Sequence, residues 1–355
     1  MQVDFVRDLG GALSIDQPLE EMWLCSAYTS ARGARSLKKL ITASQEKHAI
    51  LGCNAQTEGR ALEVLQEWGV EVQIMPDPPG GIFHPKCLYA RKADGQAWVV
   101  AGSANMTEGG FRQNIEAGIK VMGPTTLAVV RDARRFFEDM HEAAAPLTPD
   151  LLRQFKAVQE EVRAALRQVA SATMGAVLGL DASQALLLTP AGRGLIHDVD
   201  VLRFHHYIRV TKMEASYKMV ILPLLLQAPE GRLEMLDLAR MFAGFYRLLV
   251  MAGRVPERSP MKMRDVAALP IEQVVKTLKG APKEALSRPG IAVYQGSGVA
   301  INRQIWDAMT EGDREGARGL AVERLAGYYR EHLGYVADFS SLLYGAEATD
   351  TGTRQ

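Results

Sequence analysis

Short apolar segments alternate with amphipathic segments over the first part of the chain. Apolar runs with the length of buried strands occur at 22–28, 49–53, 70–75, 83–90 and 97–101. Amphipathic helices are predicted between and after these runs, at 30–44, 57–68 and 126–144. A further strand is predicted at 115–121, where apolar and polar residues alternate. Strands that alternate with helices predict an α/β fold, here a mixed β-sheet flanked by helices.

The pattern changes at Pro146. A long charged helix is predicted over 150–177, followed by a strand and turn over 186–192. Beyond residue 200, helices are predicted at 217–227, at 233–253 with a break near Ala243–Gly244, at 270–279 and at 314–334, and a turn at 290–298. The predicted organisation is an α/β domain at 1–146, a helical connector at 147–199, a mainly helical domain at 200–345 and a flexible tail at 346–355.

Composition narrows the classes of function. The formal net charge is +0, so binding to nucleic acid would have to depend on local basic patches. Three cysteines without a C-x-x-C pair argue against a zinc finger and a disulfide framework, and fit a reducing compartment. The N-terminus shows no signal-peptide pattern, and the apolar run at 219–226 is too short to cross a bilayer. We therefore expect a soluble cytoplasmic protein without membrane contact, and the absence of nucleotide-loop and H-E-x-x-H motifs predicts neither a cofactor nor a metal site.

Three pairs of polar residues carry the candidate chemistry, each with i, i+2 spacing. They are His84 and Lys86, Ser103 and Asn105, and Asn114 and Glu116. Side chains two residues apart on a strand point to the same face, so the six side chains would converge if the three predicted strands are neighbours. Such a pocket is suited to cleaving a phosphodiester without a metal ion.

Each residue has a role in that chemistry. A neutral imidazole at His84 is a competent nucleophile and, once protonated, a competent acid. Lys86, Ser103, Asn105 and Asn114 would bind the phosphate, with Lys86 as a fixed positive charge. Glu116 would accept a hydrogen bond from the imidazole and fix its tautomer, or it is a solvated acid on the strand.

The motifs H-x-K, G-S-x-N and a downstream glutamate resemble the phospholipase D superfamily over residues 20–145. The resemblance is closest to its single-motif branch of metal-independent nucleases, which includes restriction endonucleases. One position departs from the longer family motif, because Arg91 stands where that motif has an aspartate. The nuclease branch often lacks that aspartate, so the departure favours a nuclease over a lipase.

The resemblance implies a reaction with two histidines, in which one forms a phosphohistidine and the other protonates the leaving oxygen. Of the seven histidines, His84 alone has a lysine two residues on. The resemblance therefore implies a homodimer with one composite site at the interface.

Two basic patches are candidate contacts to nucleic acid. The first comprises Arg32, Arg35, Lys38 and Lys39, and the second includes Arg209, Lys212 and Lys218 among aromatic residues. Alternatively, the first is a solvated helix face and the second a partly buried domain boundary. Segments between 209 and 246 resemble a helical module attached to some restriction and helicase-type nucleases, which suggests a DNA-binding or partner-binding role for the domain at 200–345.

These observations together predict a hydrolase, most specifically a DNA endonuclease in bacterial restriction or antiviral defence. DNA is favoured over RNA, and a helicase or sensor protein is a candidate partner. Two alternatives remain: the same chemistry on a phospholipid or small phosphodiester, or a catalytically silent DNA-binding or scaffold subunit.

Overall fold

A computed structural model gives the fold and describes residues 1–6, 17–54, 56–78, 81–113, 116–172, 190–257 and 265–344. The chain divides into two compact units, Met1–Arg203 and Phe204–Gln355. Asn114, most of the predicted strand and turn at 186–192, and the predicted tail lie outside the described residues.

The first unit is built on an eight-stranded mixed sheet. Its strands are β1 (Gln2–Val6), β2 (Leu19–Ser26), β3 (Ser44–Gly52), β4 (Glu71–Met75), β5 (Lys86–Lys92), β6 (Gln96–Gly102), β7 (Gly118–Pro124) and β8 (Ala145–Pro146). They lie in the order β1-β7-β6-β5-β2-β3-β4-β8. Strands β2, β3 and β4 are mutually parallel, and the remaining pairs are antiparallel. Strands β5, β6 and β7, whose ends carry the candidate residues, are therefore neighbours, as the sequence analysis required.

Helices cover both faces of this sheet. They are α1 (Ala31–Ser36), α2 (Lys38–Ala43), α3 (Gly59–Glu67), α4 (Ala128–Ala143), α5 (Pro149–Ala172) and α6 (Pro190–Val210), with a π-helical turn at Gly109–Gln113. One core contains Leu24, Leu51 and Ile74 of the sheet with residues of α1–α3, α5 and α6. The other contains Trp23, Ile50 and Tyr89 with residues of α4. Consecutive strand residues alternate between the two cores because side chains on a strand alternate between its faces.

The predicted α/β fold with a mixed sheet is confirmed, with differences at particular elements. The single helix predicted over 30–44 is two helices separated at Leu37, and β3 begins at Ser44. The strand predicted over 115–121 begins at Gly118, where pairing with Gly102 begins. Residues 190–192, predicted as a turn, begin α6. Strand β1 was not predicted, because five largely exposed residues acquire their strand conformation from pairing with β7.

The second unit is mainly helical, as predicted. Its helices are α7 (Tyr217–Gln227), α8 (Met235–Met251), α9 (Ile271–Leu278), α10 (Ala281–Ser287), α11 (Arg303–Ala308), α12 (Glu311–Leu333) and α13 (Phe339–Tyr344), with 3-10 turns at Pro229–Gly231 and Val266–Ala268. Helix α7 is apolar on all sides and is buried from Lys218 to Leu226. A helix that is hydrophobic all round must be enclosed by its neighbours, so α7 lies in the centre of this unit.

A small antiparallel sheet accompanies these helices. Strands β9 (Arg232–Glu234), β10 (Ala292–Gln295) and β11 (Gly298–Ile301) lie in the order β10-β11-β9. Much of the segment predicted as a turn over 290–298 is therefore strand β10. The hairpin turn between β10 and β11 lies at Gly296, at φ 58°, and Ser297. The predicted break near Ala243–Gly244 is also wrong, because α8 is continuous.

None of the helices within the described ranges is long and apolar enough to cross a membrane.

Candidate active site

The loop that carries His84 is fastened to the end of β2. The backbone amide of Ala27 donates to the carbonyl oxygen of Pro85 at 3.0 Å, and Lys86, the first residue of β5, pairs with Ser26. The His84 side chain is exposed, and its ring lies edge-on to the ring of Tyr28 at a centroid distance of 5.6 Å. The nucleophile candidate is therefore presented to solvent by a loop that the sheet holds in place.

Lys86 lies against the imidazole. Its Nζ is 2.7 Å from Nδ1 and 2.9 Å from Nε2 of His84, and it also donates to the His84 carbonyl oxygen at 3.2 Å. An ammonium group that donates to a ring nitrogen requires that nitrogen to carry its lone pair. Partial burial lowers the pKa of Lys86 from its ordinary value, although the negative charge of Glu116 acts in the opposite direction.

Ser103 and Glu116 approach from the adjacent strand ends. Ser103 follows β6, its amide donates to the carbonyl oxygen of Ala117 at 2.9 Å, and its hydroxyl accepts from the Ala117 amide at 3.1 Å. The same hydroxyl donates to the Glu116 carboxylate. Gly102 permits this approach, because a Cβ there would lie 2.5 Å from the Ala117 carbonyl oxygen. A hydroxyl and a carboxylate are thus held together near Lys86.

Asn105 lies in the loop that follows β6. The neighbouring Met106 amide donates to the hydroxyl of Ser26 at 3.0 Å, which ties this loop to the same end of β2. The side-chain oxygen of Asn105 is buried and has no hydrogen-bond partner among the described residues. An unsatisfied buried acceptor is costly. The Asn105 oxygen can therefore gain by accepting a further hydrogen bond beside the candidate site.

The structure brings most of the predicted residues together, but most of them lie in loops and not on the predicted strands. His84 precedes β5, Glu116 precedes β7, and the loop with Ser103 and Asn105 follows β6, so none of these residues lies on a strand. The predicted alternation of side chains along three strands is therefore wrong for these four residues. Convergence comes instead from three loops that meet at the same end of adjacent strands. Asn114 was also predicted to belong to the site, and it lies outside the described residues.

Two supporting residues, Ser26 and Tyr28, were not predicted from the sequence. The Ser26 hydroxyl donates to the Tyr28 carbonyl oxygen at 2.7 Å while it accepts from the Met106 amide, so it links β2 to the Asn105 loop. Tyr28 packs against His84. The available signal was their place at the carboxyl end of a buried strand, where loops of α/β sheets commonly form sites.

Arg91, which departs from the longer family motif, has a structural role. It forms ion pairs with Glu20 and with the buried Glu21, on the strand beside its own. It lies near the far end of β5 from Lys86, five residues along the strand. The position is therefore used for an internal ion pair between β5 and β2.

The first basic patch divides between α1 and α2. Arg32 forms an exposed ion pair with Glu108 at 2.7 Å, and these two residues line an open concavity of about 230 Å³ with Arg35 and Ser36. Lys38 and Lys39 are exposed on α2, and the Lys38 ammonium lies 5.9 Å from the Trp68 ring centre. Because Glu108 belongs to the same loop as Asn105, Arg32 and Arg35 flank the candidate active site.

The second basic patch is exposed to solvent only in part. Arg209 and Lys212 are exposed, but Lys218 is buried in α7. The Lys218 ammonium donates to the Thr211 hydroxyl at 2.7 Å and to the Lys212 carbonyl oxygen at 2.8 Å. The prediction that Lys218 contacts nucleic acid is therefore wrong, since its hydrogen bonds are made inside the unit.

Comparison with known protein families agrees with the motif. The family described as "Cardiolipin synthase, PLD-like domain" matches residues 15–141. The chain contains a domain of the phospholipase D superfamily. This domain holds His84, Lys86, Ser103, Asn105 and Glu116, and it supports phosphodiester hydrolysis as the class of reaction.

One solved structure with similarity to this chain is Nuc from Salmonella typhimurium, described as a phospholipase D family member. It shares 13% sequence identity over 41% of this chain and 96% of its own chain, with a TM-score of 0.32. No curated protein matches the sequence.

Proposed function

We propose that the chain is a metal-independent nuclease of the phospholipase D superfamily that cleaves DNA through a phosphohistidine. The observation that carries this proposal is the contact of the Lys86 ammonium with the exposed His84 imidazole, at 2.7 Å. An exposed imidazole beside a fixed cation can attack a phosphorus atom whose oxygens that cation neutralises. The Asn105 amide supplies a neutral hydrogen-bond donor, and the Ser103 hydroxyl becomes one when it turns from Glu116 to the phosphate. The negative charge of Glu116 acts on Lys86.

The reaction has two steps with a balanced exchange of bonds. In the first, a ring nitrogen of His84 forms a bond to phosphorus, the P–O bond to one nucleotide breaks, and an imidazolium donates a proton to the departing oxygen. In the second, that imidazole takes a proton from water, the resulting oxygen bonds to phosphorus, and the N–P bond breaks. Lys86 stabilises the extra negative charge in both transition states.

The proposed reaction needs a second histidine, which we assign to a second copy of the chain. His84 is the one histidine of seven that is followed by a lysine two residues on. Val3, Phe5 and Ile119 lie on the paired strands β1 and β7, and their side chains are 55%, 67% and 52% exposed. This apolar stripe reaches the end of β7 that adjoins Glu116, so a partner covering it would approach the active site.

Nucleic acid is the proposed substrate because basic side chains flank the site. Arg32 and Arg35 adjoin the loop that carries Asn105 and can neutralise phosphates on one side of the cleaved bond. The exposed Arg209 and Lys212 of the second unit are further candidate contacts. A zero net charge favours modest affinity, which suits a restriction or antiviral nuclease controlled by a helicase or sensor partner.

A phospholipid is the second candidate substrate, and the description of the matching family as cardiolipin synthase favours it. The test is hydrolysis by the purified chain, in EDTA, of plasmid DNA, single-stranded DNA, RNA, bis(p-nitrophenyl) phosphate and anionic phospholipid vesicles. We expect cleavage of DNA. Hydrolysis of lipid without cleavage of DNA would replace our proposal with a lipase. Inactivity on every substrate, with helicase-type partners present, would favour a silent scaffold.

The pH profile of cleavage should report the protonation state of Lys86. Because burial lowers the pKa of Lys86, this group loses its proton at a lower pH than an ordinary lysine, and activity should fall on the alkaline side below pH 10.5. Lys86→Ala should lower kcat by about 10²–10³-fold. Lys86→Arg should be slower than the native chain, but its alkaline limb should move to higher pH because arginine stays protonated. Superimposable limbs for native and Lys86→Arg chains would contradict a titrating Lys86.

A further inference from the structure

A second cluster of reactive side chains lies on the sheet face that α4 covers. Trp23, His48 and Glu71 form one row across β2, β3 and β4, where each is the register partner of the next. His141 of α4 reaches this row one helical turn after Phe137, which packs against Trp23 at a centroid distance of 6.1 Å. Two strands and a helix therefore deliver two imidazoles and one carboxylate to the same place.

The donor atoms have the spacing of a metal-ligand set. Nδ1 of His48 is 2.9 Å from Oε2 of Glu71, and Nε2 of His141 is 3.1 Å from Oε1. The candidate ligand atoms of the three residues all lie within 4.8 Å of one another. Zinc bonds of about 2.0–2.2 Å in tetrahedral geometry place neighbouring ligand atoms about 3.3 Å apart. The two nitrogen–oxygen distances lie within a few tenths of an ångström of that spacing.

Gln73 lies against the same imidazole as the Glu71 carboxylate. Its side-chain nitrogen lies 2.9 Å from Nε2 of His141, the atom that also faces Glu71. If the amide nitrogen donates, Nε2 carries a lone pair that faces a carboxylate oxygen, which is unfavourable. A cation between Nε2 and the carboxylate removes that conflict. With the amide turned over, Nε2–H donates to the Gln73 and Glu71 oxygens in the absence of an ion, and the Gln73 oxygen can serve as a further ligand when a cation replaces that proton.

The surroundings hold these ligands in place and leave access for an ion. The His48 ring stacks on Trp23 at 4.0 Å, which fixes its plane. The two imidazoles are about one-fifth exposed, and the Glu71 carboxylate is half exposed. Glu21 and Glu46 also lie near His48, but the Glu21 carboxylate is already bonded to Trp23 and to two arginines. The set of His48, Glu71 and His141 is therefore the available one.

We propose that His48, Glu71 and His141 bind a divalent transition-metal cation, with zinc as the best match to two imidazoles and a carboxylate. The ion would join β3, β4 and α4 and stabilise the first unit. Trp23 lies three residues, about 10 Å, along β2 from Ser26, the register partner of Lys86. His48 and Glu71 lie one and two strands further across the sheet from Trp23. The proposal is therefore independent of the cleavage reaction, which is expected to proceed in EDTA.

The test is zinc titration of the full-length chain at neutral pH, after the protein has been stripped with a chelator and freed of it. Calorimetry should give one zinc per chain, and cobalt should give the visible absorption of a protein-bound ion. Glu71→Gln and His141→Gln should each weaken zinc binding by at least about 10-fold. His84→Ala and the surface control His197→Ala should bind zinc like the native chain.

Thermal unfolding distinguishes loss of the site from loss of the fold. Zinc should raise the melting temperature of the native chain, because a ligand of the folded state stabilises it by mass action. It should leave that of Glu71→Gln unchanged while the variant still melts cooperatively. Absence of zinc and cobalt binding by the native chain, or unchanged binding by both Gln variants, would overturn the proposal. Loss of binding in His84→Ala would assign the ion to the active site and overturn it as well.

Discussion

Replacing His84 by alanine is expected to lower DNA cleavage by at least about 10³-fold, because the variant lacks the atom that forms the covalent bond to phosphorus. The side chain is exposed, and its imidazole lies against the edge of the Tyr28 ring and the Lys86 ammonium. Its loss should therefore change the free energy of unfolding by no more than about 0.5 kcal/mol. The measurement is single-turnover cleavage in EDTA, with chemical denaturation of the same preparations.

The matched control is His197→Ala, which removes a half-exposed histidine from α6. It should cleave at the native rate. Cleavage by His84→Ala at more than one-tenth of the native rate would rule out His84 as the nucleophile.

Mixed dimers test the composite site directly. A dimer that combines one native chain with one His84→Ala chain keeps a single reactive histidine, so it lacks either the nucleophile or the acid. Its activity should fall by at least about 10²-fold, the usual contribution of a general acid. Retention of half the native activity would show that each copy works alone.

The sequence predicted elements best where the apolar run itself determines burial. Helix α7 was predicted at its observed bounds. A helix pairs the backbone N–H and C=O groups of its nine consecutive buried residues within the segment itself. The continuity of α8 was missed at Gly244. A glycine costs about 1 kcal/mol in a helix, but the buried neighbours Phe242, Phe245 and Tyr246 outweigh that cost.

The candidate active site could be found by residue type but not by local geometry. The motif brought His84, Lys86, Ser103 and Glu116 to attention, and their strands are neighbours as expected. Strand limits depend on partner strands, however, and the pairing of Gly118 with Gly102 and Val6 leaves Glu116 outside β7. The His48–Glu71–His141 cluster gave no motif, because its members are 23 and 70 residues apart in sequence.

The largest expected effect on stability belongs to Glu21, a carboxylate that is 2% exposed in the first unit. It accepts from Nε1 of Trp23 at 2.7 Å, and Arg134 and Arg91 approach it at 2.7 Å and 3.3 Å. Burial opposes ionisation of this group, but the hydrogen bond from Trp23 and the charge of Arg134 outweigh burial and lower its pKa. Trp23 of β2, Arg91 of β5 and Arg134 of α4 therefore all interact with this one carboxylate.

Glu21→Ala is expected to lower the free energy of unfolding by about 2–4 kcal/mol, because it leaves a buried indole N–H without its acceptor and two arginines without their shared partner. Glu21→Gln should cost less, since an oxygen can still accept from Trp23. Glu20→Ala is the matched control: Glu20 pairs with the same Arg91 but is about one-third exposed, so its loss should cost under about 1 kcal/mol. Equal losses for Glu20→Ala and Glu21→Ala in urea denaturation would contradict this account.

The pH dependence of these variants follows from the direction of the pKa shift. A carboxylate whose pKa is lowered in the folded chain stabilises it fully above the ordinary value of 4.5, and that contribution is lost as the pH falls through the folded pKa. The difference in stability between the native chain and Glu21→Gln should therefore be largest near neutral pH and shrink in acid. A difference that stays constant down to the acid-unfolding region would mean that Glu21 acts through packing rather than charge.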